Sequence, residues 1–140
     1  MKVALGCDHG GFALKEHILD LLRELGHEVA DFGTMNGESV DYPEIAAAVC
    51  EPVAAGECQR GVLICGTGIG ISMAANRNSA IRAALCTESF SARMSREHND
   101  ANVLCLGGRT IGPGLAEDIV RVWMAAEFAG GRHLRRIQMV

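Results

Sequence analysis

Cys65 closes an apolar run, Gly61-Val62-Leu63-Ile64-Cys65, and stands directly before Gly66-Thr67-Gly68-Ile69-Gly70. A strand, a glycine-rich turn and a helix start expose backbone N–H groups to an anion. The positive end of a helix dipole favours a thiolate, so Cys65 is a candidate base or nucleophile. Cys7 and Cys86 also lie at strand ends and are its rivals, whereas Cys50 and Cys105 read as inert core thiols. Asp8-His9 follows the apolar run Lys2 to Gly6, and His98-Asn99-Asp100 lies between a helix and a strand. Imidazole is the natural titrating group near neutral pH, although His17 reads as helix surface and His27 as a turn residue. Arg109 leaves the last strand at Gly107-Gly108-Arg109. Arg132 and Arg136 are four apart, so one helical face can offer both guanidinium groups to a phosphate. Together these residues point to a small anionic substrate, a phosphate ester, handled by acid–base or thiol chemistry.

Several familiar chemistries fail on spacing. The dinucleotide fingerprint needs a glycine where Ile71 stands, and no Gly-Lys-Ser/Thr follows the loop. A cysteine phosphatase needs an arginine six residues after its nucleophile, again the position of Ile71. The six cysteines contain no C-x-x-C pair, which removes zinc-ribbon and thioredoxin-like readings. No nicotinamide cofactor and no zinc ribbon are therefore expected, and reduced thiols are the default. A net charge of -4 argues against nucleic-acid or anionic-membrane binding. No apolar run approaches the roughly 20 residues of a membrane span. The opening residues do not resemble a signal peptide, so a soluble, cytoplasmic protein is expected.

The chemistry-bearing segments need elements to hold them. Lys2 to Gly6 reads as a strand, and Leu14, Ile18, Leu21, Leu22 and Leu25 recur at helical spacing up to a stop at Gly26. His27 to Phe32 is a second strand, and Pro43 opens a helix reaching about Ala55. Gly61 to Cys65, Ile81 to Cys86 and Asn102 to Leu106 are further strands, with helices to about Asn76, from Ser89 to Arg96, and from Pro113 to about Phe128. Residues 130–140 form a basic C-terminal tail of a single domain spanning 1–140. The alternation predicts an α/β fold: a Rossmann-like, doubly wound, three-layer αβα sandwich around a five-stranded parallel sheet. Its expected strand order is 2-1-3-4-5. In that order strands 1 and 3 are neighbours at the topological switch point, which gathers Asp8-His9 and the Cys65 loop into one crevice.

With these residues in place, the chain resembles the ribose-5-phosphate isomerase B family, which includes galactose-6-phosphate isomerase subunits and allose-6-phosphate isomerases. The matching strings are Gly6-Cys7-Asp8-His9-Gly10-Gly11-Phe12, Asp41-Tyr42-Pro43, Cys65 to Gly70, Ser95 to Asn102, Gly107-Gly108-Arg109 and Gly131 to Arg136. They follow one another through nearly the whole chain. The resemblance implies a metal-independent aldose–ketose isomerase interconverting ribose 5-phosphate and ribulose 5-phosphate. It implies Cys65 as the base moving a proton between C1 and C2, with the N–H groups of Gly66, Thr67, Gly68, Ile69 and Gly70 holding the enediolate. Some relatives use a glutamate further along; here Ile71-Ser72-Met73-Ala74-Ala75 has no carboxylate.

The resemblance further implies that His98, helped by Thr67, opens the sugar ring and that Asp8 handles protons on the sugar oxygens. Tyr42 and Asn99 would contact substrate; His9, Arg132 and Arg136 would hold the phosphate, with Arg109 close by. It also implies a homodimer or tetramer with sites built from both subunits. The apolar residues of the last long helix, Ile119, Val120, Trp123, Met124 and Phe128, fit either such an interface or ordinary core packing. Competing readings are an isomerase of a six-carbon aldose phosphate, a receiver-type signalling module and a thiol-dependent transfer enzyme. A receiver should carry aspartate where Cys65 stands.

Overall fold

Alternate residues of the inner strands face opposite sides of one sheet, and each side meets its own helices. In the computed structural model, which describes residues 1–140, the elements run β1 (Lys2–Cys7), α1 (Phe12–Glu24), β2 (Glu28–Asp31), α2 (Tyr42–Ala54), β3 (Arg60–Cys65), α3 (Ile69–Ala75), β4 (Ala83–Leu85), α4 (Ser89–Glu97), β5 (Val103–Gly107), α5 (Pro113–Ala125) and α6 (Arg132–Ile137). Val3, Leu5, Cys7, Val62, Ile64, Leu104 and Leu106 pack with α1, α4 and α5. Ala4, Leu63, Cys65, Val103 and Cys105 pack with α2 and α3. That period of two, with helices on both faces, makes the three-layer α/β sandwich expected for a parallel sheet.

All strand pairs are parallel, and the order is β2-β1-β3-β5-β4. The expected order 2-1-3-4-5 is therefore wrong in its last two places. Burial supplies the reason: all five residues of β5 are buried, whereas β4 has three half-buried residues and occupies the edge. Strands β1 and β3 are neighbours as expected. The corrected order also seats β5 beside β3, with Gly107 opposite Cys65.

Two further boundaries moved. Helix α5 stops at Ala125, three residues before Phe128. There the buried guanidinium of Arg60 donates to the carbonyls of Trp123 (2.9 Å), Met124 (2.8 Å) and Ala126 (3.1 Å), as a cation at a helix C-terminus should. Ile119, Val120, Trp123 and Met124 lie in the core, so packing accounts for the apolar face of α5. Residues 130–140, read as a basic tail, contain the short helix α6.

Candidate active site

Because every strand runs the same way, segments leaving β1, β2, β3 and β5 emerge at one edge of the sheet, its carboxyl edge. Cys65 ends β3 there, 5% exposed, and Gly68 N–H donates to its sulfur at 3.1 Å. Gly68 sits at φ 77°, where a side chain would strain the backbone, and an added Cβ would meet Leu85 at 2.5 Å. Thr67 Oγ1 accepts from Ile69 N–H at 3.2 Å. Two of the five loop donors are thus engaged, while the N–H groups of Gly66, Thr67 and Gly70 have no acceptor within the chain.

Asp8 is 6% exposed, and its Oδ1 accepts from Gly10 N–H at 2.8 Å and Gly11 N–H at 3.2 Å, which leaves Oδ2 free. Gly10 lies so close to the Cys65 loop that an added Cβ would stand 2.7 Å from Gly66 N. His9 is exposed, and its Nδ1 accepts from Val40 N–H at 3.3 Å. That bond leaves the proton of a neutral His9 on Nε2, a donor suited to a phosphate oxygen. The Tyr42 ring covers Gly70, where an added Cβ would lie 2.7 Å from Cζ. Arg109 N–H donates to Gly66 C=O at 2.9 Å, and its side chain lies across Gly66. Asp8, His9, Tyr42, Cys65, the glycine loop and Arg109 therefore meet on one edge.

The remaining expected residues do not join them. Helix α4 starts at the carboxyl edge and returns, so His98 and Asn99 lie at the amino edge, just before β5. β3 separates the two edges by about 16 Å at ~3.3 Å per residue. The exit of α5 is pinned to the amino edge by Arg60 and by Ala129 N–H donating to Glu97 C=O at 2.9 Å. Helix α6 follows, and His133 stacks on His98 with ring centroids 4.1 Å apart and planes 9° apart. Partial burial, His98, Arg132 and Arg136 together hold the His133 imidazole below its ordinary pKa. Arg132 and Arg136 are exposed beside this stack. The chain thus carries two half-sets: an acid–base and N–H set at the carboxyl edge, and an imidazole–guanidinium set at the amino edge.

The rival thiols are disposed differently. Cys7 faces the opposite side of the sheet from Cys65, packed with α1 and α5, and burial pushes its thiol up to about 11. Burial also pushes Cys50 and Cys86 up to about 11 and Cys105 well above the ordinary range. Sequence reasoning missed the Val40 contact to His9, the His133 stack and the ion pairs of Asp100 with Arg82 and Arg96. Each joins segments distant in the chain or depends on a turn conformation, and no periodicity announces it.

Comparison with known proteins places the whole chain in one family. A family profile described as Ribose/Galactose Isomerase matches residues 3–140. The chain is 51% identical over 139 residues to ribose-5-phosphate isomerase B of Escherichia coli K12, covering 99% of this chain and 93% of that one. It is 39% identical over 141 residues to a D-erythrulose-4-phosphate isomerase of Pectobacterium atrosepticum, covering 100% and 93%. The solved structure of Clostridium thermocellum ribose-5-phosphate isomerase B superposes with a TM-score of 0.98 at 58% identity, covering 99% of this chain and 94% of that chain. The chain is an isomerase and belongs to the ribose/galactose isomerase family.

Proposed function

We propose that the protein interconverts D-ribose 5-phosphate and D-ribulose 5-phosphate through an enediolate, in sites shared by two copies of the chain. The observation that carries this reading is Cys65 at the end of β3, beside three unengaged N–H groups, a free Asp8 oxygen and the Arg109 side chain. His98 takes the proton from O1 of the furanose, the ring oxygen gains a proton, and the chain opens to the aldehyde; Thr67 assists. The Cys65 thiolate then removes the proton from C2. Negative charge develops on O1 and is held by the N–H groups of Gly66, Thr67 and Gly70; one such donor is worth about 3 kcal/mol in a transition state. Asp8 carries the proton from O2 to O1, and Cys65 returns its own to C1.

Tyr42 and Asn99 contact the sugar, and His9, Arg109, Arg132 and Arg136 neutralise the phosphate. A twofold pair of copies sets the amino edge of each against the carboxyl edge of the other and so forms two equal sites. Exposed apolar residues suit that pairing: Ile69 and Met73 on α3, Leu134 on α6, and Met139 and Val140 after it.

Sugar length is the open variable, since a relative of similar coverage is named for a four-carbon substrate. Allose and galactose 6-phosphates are the six-carbon alternatives, and relative kcat/KM decides among them. The direct assay follows ribose 5-phosphate conversion in EDTA for the wild type, Cys65→Ala and Cys7→Ala. The reading requires collapse in Cys65→Ala and near-normal turnover in Cys7→Ala. Turnover that survives in Cys65→Ala removes the assigned base.

A further inference from the structure

Among non-glycine residues, Asp100 alone has a positive φ, at 47°, and it stands two residues after His98. It ends α4 as the left-handed residue: Asp100 N–H donates to Arg96 C=O at 3.1 Å and Ala101 N–H to Ser95 C=O at 2.9 Å. Glycine is the unstrained choice for such a position. The chain instead places a carboxylate there and holds it with two cations. Oδ1 accepts from Arg96 at 2.9 Å and Oδ2 from Arg82 at 2.9 Å. Both arginines also grip the turn's backbone. Arg82 Nε donates to the carbonyls of Asn99 (3.0 Å) and Asp100 (3.1 Å), and Arg96 donates to Ala101 C=O at 2.6 Å. Arg96 is 8% exposed and its guanidinium lies 5.9 Å from the Trp123 ring, so one jaw of the clamp is anchored in the core. The other jaw, Arg82, comes from the segment entering β4.

Helix C-capping alone needs neither the carboxylate nor the guanidinium groups. Strained backbone persists where its surroundings over-determine it, and such places cluster at functional sites. We infer that Asp100, gripped by Arg82 and Arg96, is a positioning residue that fixes the turn presenting His98 and Asn99 to the substrate held by the other copy. The inference rests on the ring-opening role proposed for His98. A small misplacement of an acid–base group is enough to lower turnover steeply while binding contacts made elsewhere persist.

The test compares wild type, Asp100→Gly, Asp100→Asn, Arg82→Met and His98→Asn in ribose 5-phosphate turnover, with melting temperature measured alongside. Glycine keeps the left-handed turn and removes the clamp, so kcat should fall about tenfold or more, while KM, to which Asn99 adds one contact among several, should change far less. Asparagine tolerates the same φ and keeps one accepting oxygen, so it should recover most of that loss. Arg82→Met should lower kcat in the same way, and it decides the matter if Asp100→Gly does not fold. Wild-type kcat in Asp100→Gly and Arg82→Met, or a rise in KM with kcat unchanged, overturns the inference. If His98→Asn is inactive while both clamp variants are normal, the clamp fails alone. If His98→Asn turns over normally, the ring-opening reading fails and the clamp falls with it.

Discussion

Cys7 and Cys65 close two hydrogen-bonded neighbours, β1 and β3, yet the pleat turns them to opposite faces. Type and strand end were legible in the sequence; face was not, because a shift of one residue exchanges the two sides. The glycines around Cys65 carry the same lesson. An added Cβ at Gly10 would stand 2.7 Å from Gly66 N, and one at Gly11 would meet Ile64 O at 2.5 Å. Both neighbours are backbone, so neither can swing aside. Gly10→Ala should spread the Asp8 and Cys65 loops and cost about 1–3 kcal/mol of stability. Turnover should fall by more than tenfold, since misplaced reacting groups lose rate steeply. Urea unfolding and steady-state kinetics on the one variant check both numbers.

The elements owe their places to a few polar anchors set into an apolar pattern. Arg60 binds three carbonyls at the end of α5 and lies 5.3 Å from the Trp123 ring. Arg60→Met should cost about 3 kcal/mol, because the carbonyls lose a charged donor, and urea unfolding measures it. Glu88 caps α4 by accepting from Phe90 N–H (2.6 Å) and Ser91 N–H (2.9 Å). Hydrogen bonding to Ser91, then to the backbone of Ser91 and Phe90, holds its carboxyl below the usual carboxylate range. A depressed acid stabilises the fold above its unfolded pKa and loses that contribution as pH falls through the folded one. Glu88→Gln should therefore lower the melting temperature at pH 7, and the difference from wild type should shrink as pH falls below about 4.5.

At this scale the sequence was informative about existence and type. Apolar periodicity and the punctuation at Gly26, Pro43 and Pro113 located every long helix. The strand order was less legible, because Ile81 to Cys86 and Asn102 to Leu106 look equally apolar in isolation. Only packing decides that β5 is central and β4 marginal.

For the whole molecule, the decisive fact is that the expected site residues occupy two edges of one sheet. The sequence named most of them, and the resemblance implied sharing between subunits. Which residues belong to which half follows from the direction of α4, visible once the strands are parallel. Ile69 and Met73 are 48% and 66% exposed beside the Cys65 loop, an apolar surface fit for a second copy. Met73→Arg should shift the molecular mass in light scattering toward a single chain. Under the proposed sharing, activity should fall with it, because a separated copy would keep only half of each site.

Mixing two inactive variants tests the shared site most directly. Cys65→Ala and His98→Asn are each purified, co-refolded in equal amounts and assayed for ribose 5-phosphate conversion against either variant alone. In a mixed pair, one site combines the intact Cys65 of one copy with the intact His98 of the other, while the second site lacks both. Random pairing should therefore restore about a quarter of wild-type activity. A mixture no more active than its components would contradict the shared site and return Cys65 and His98 to a single chain.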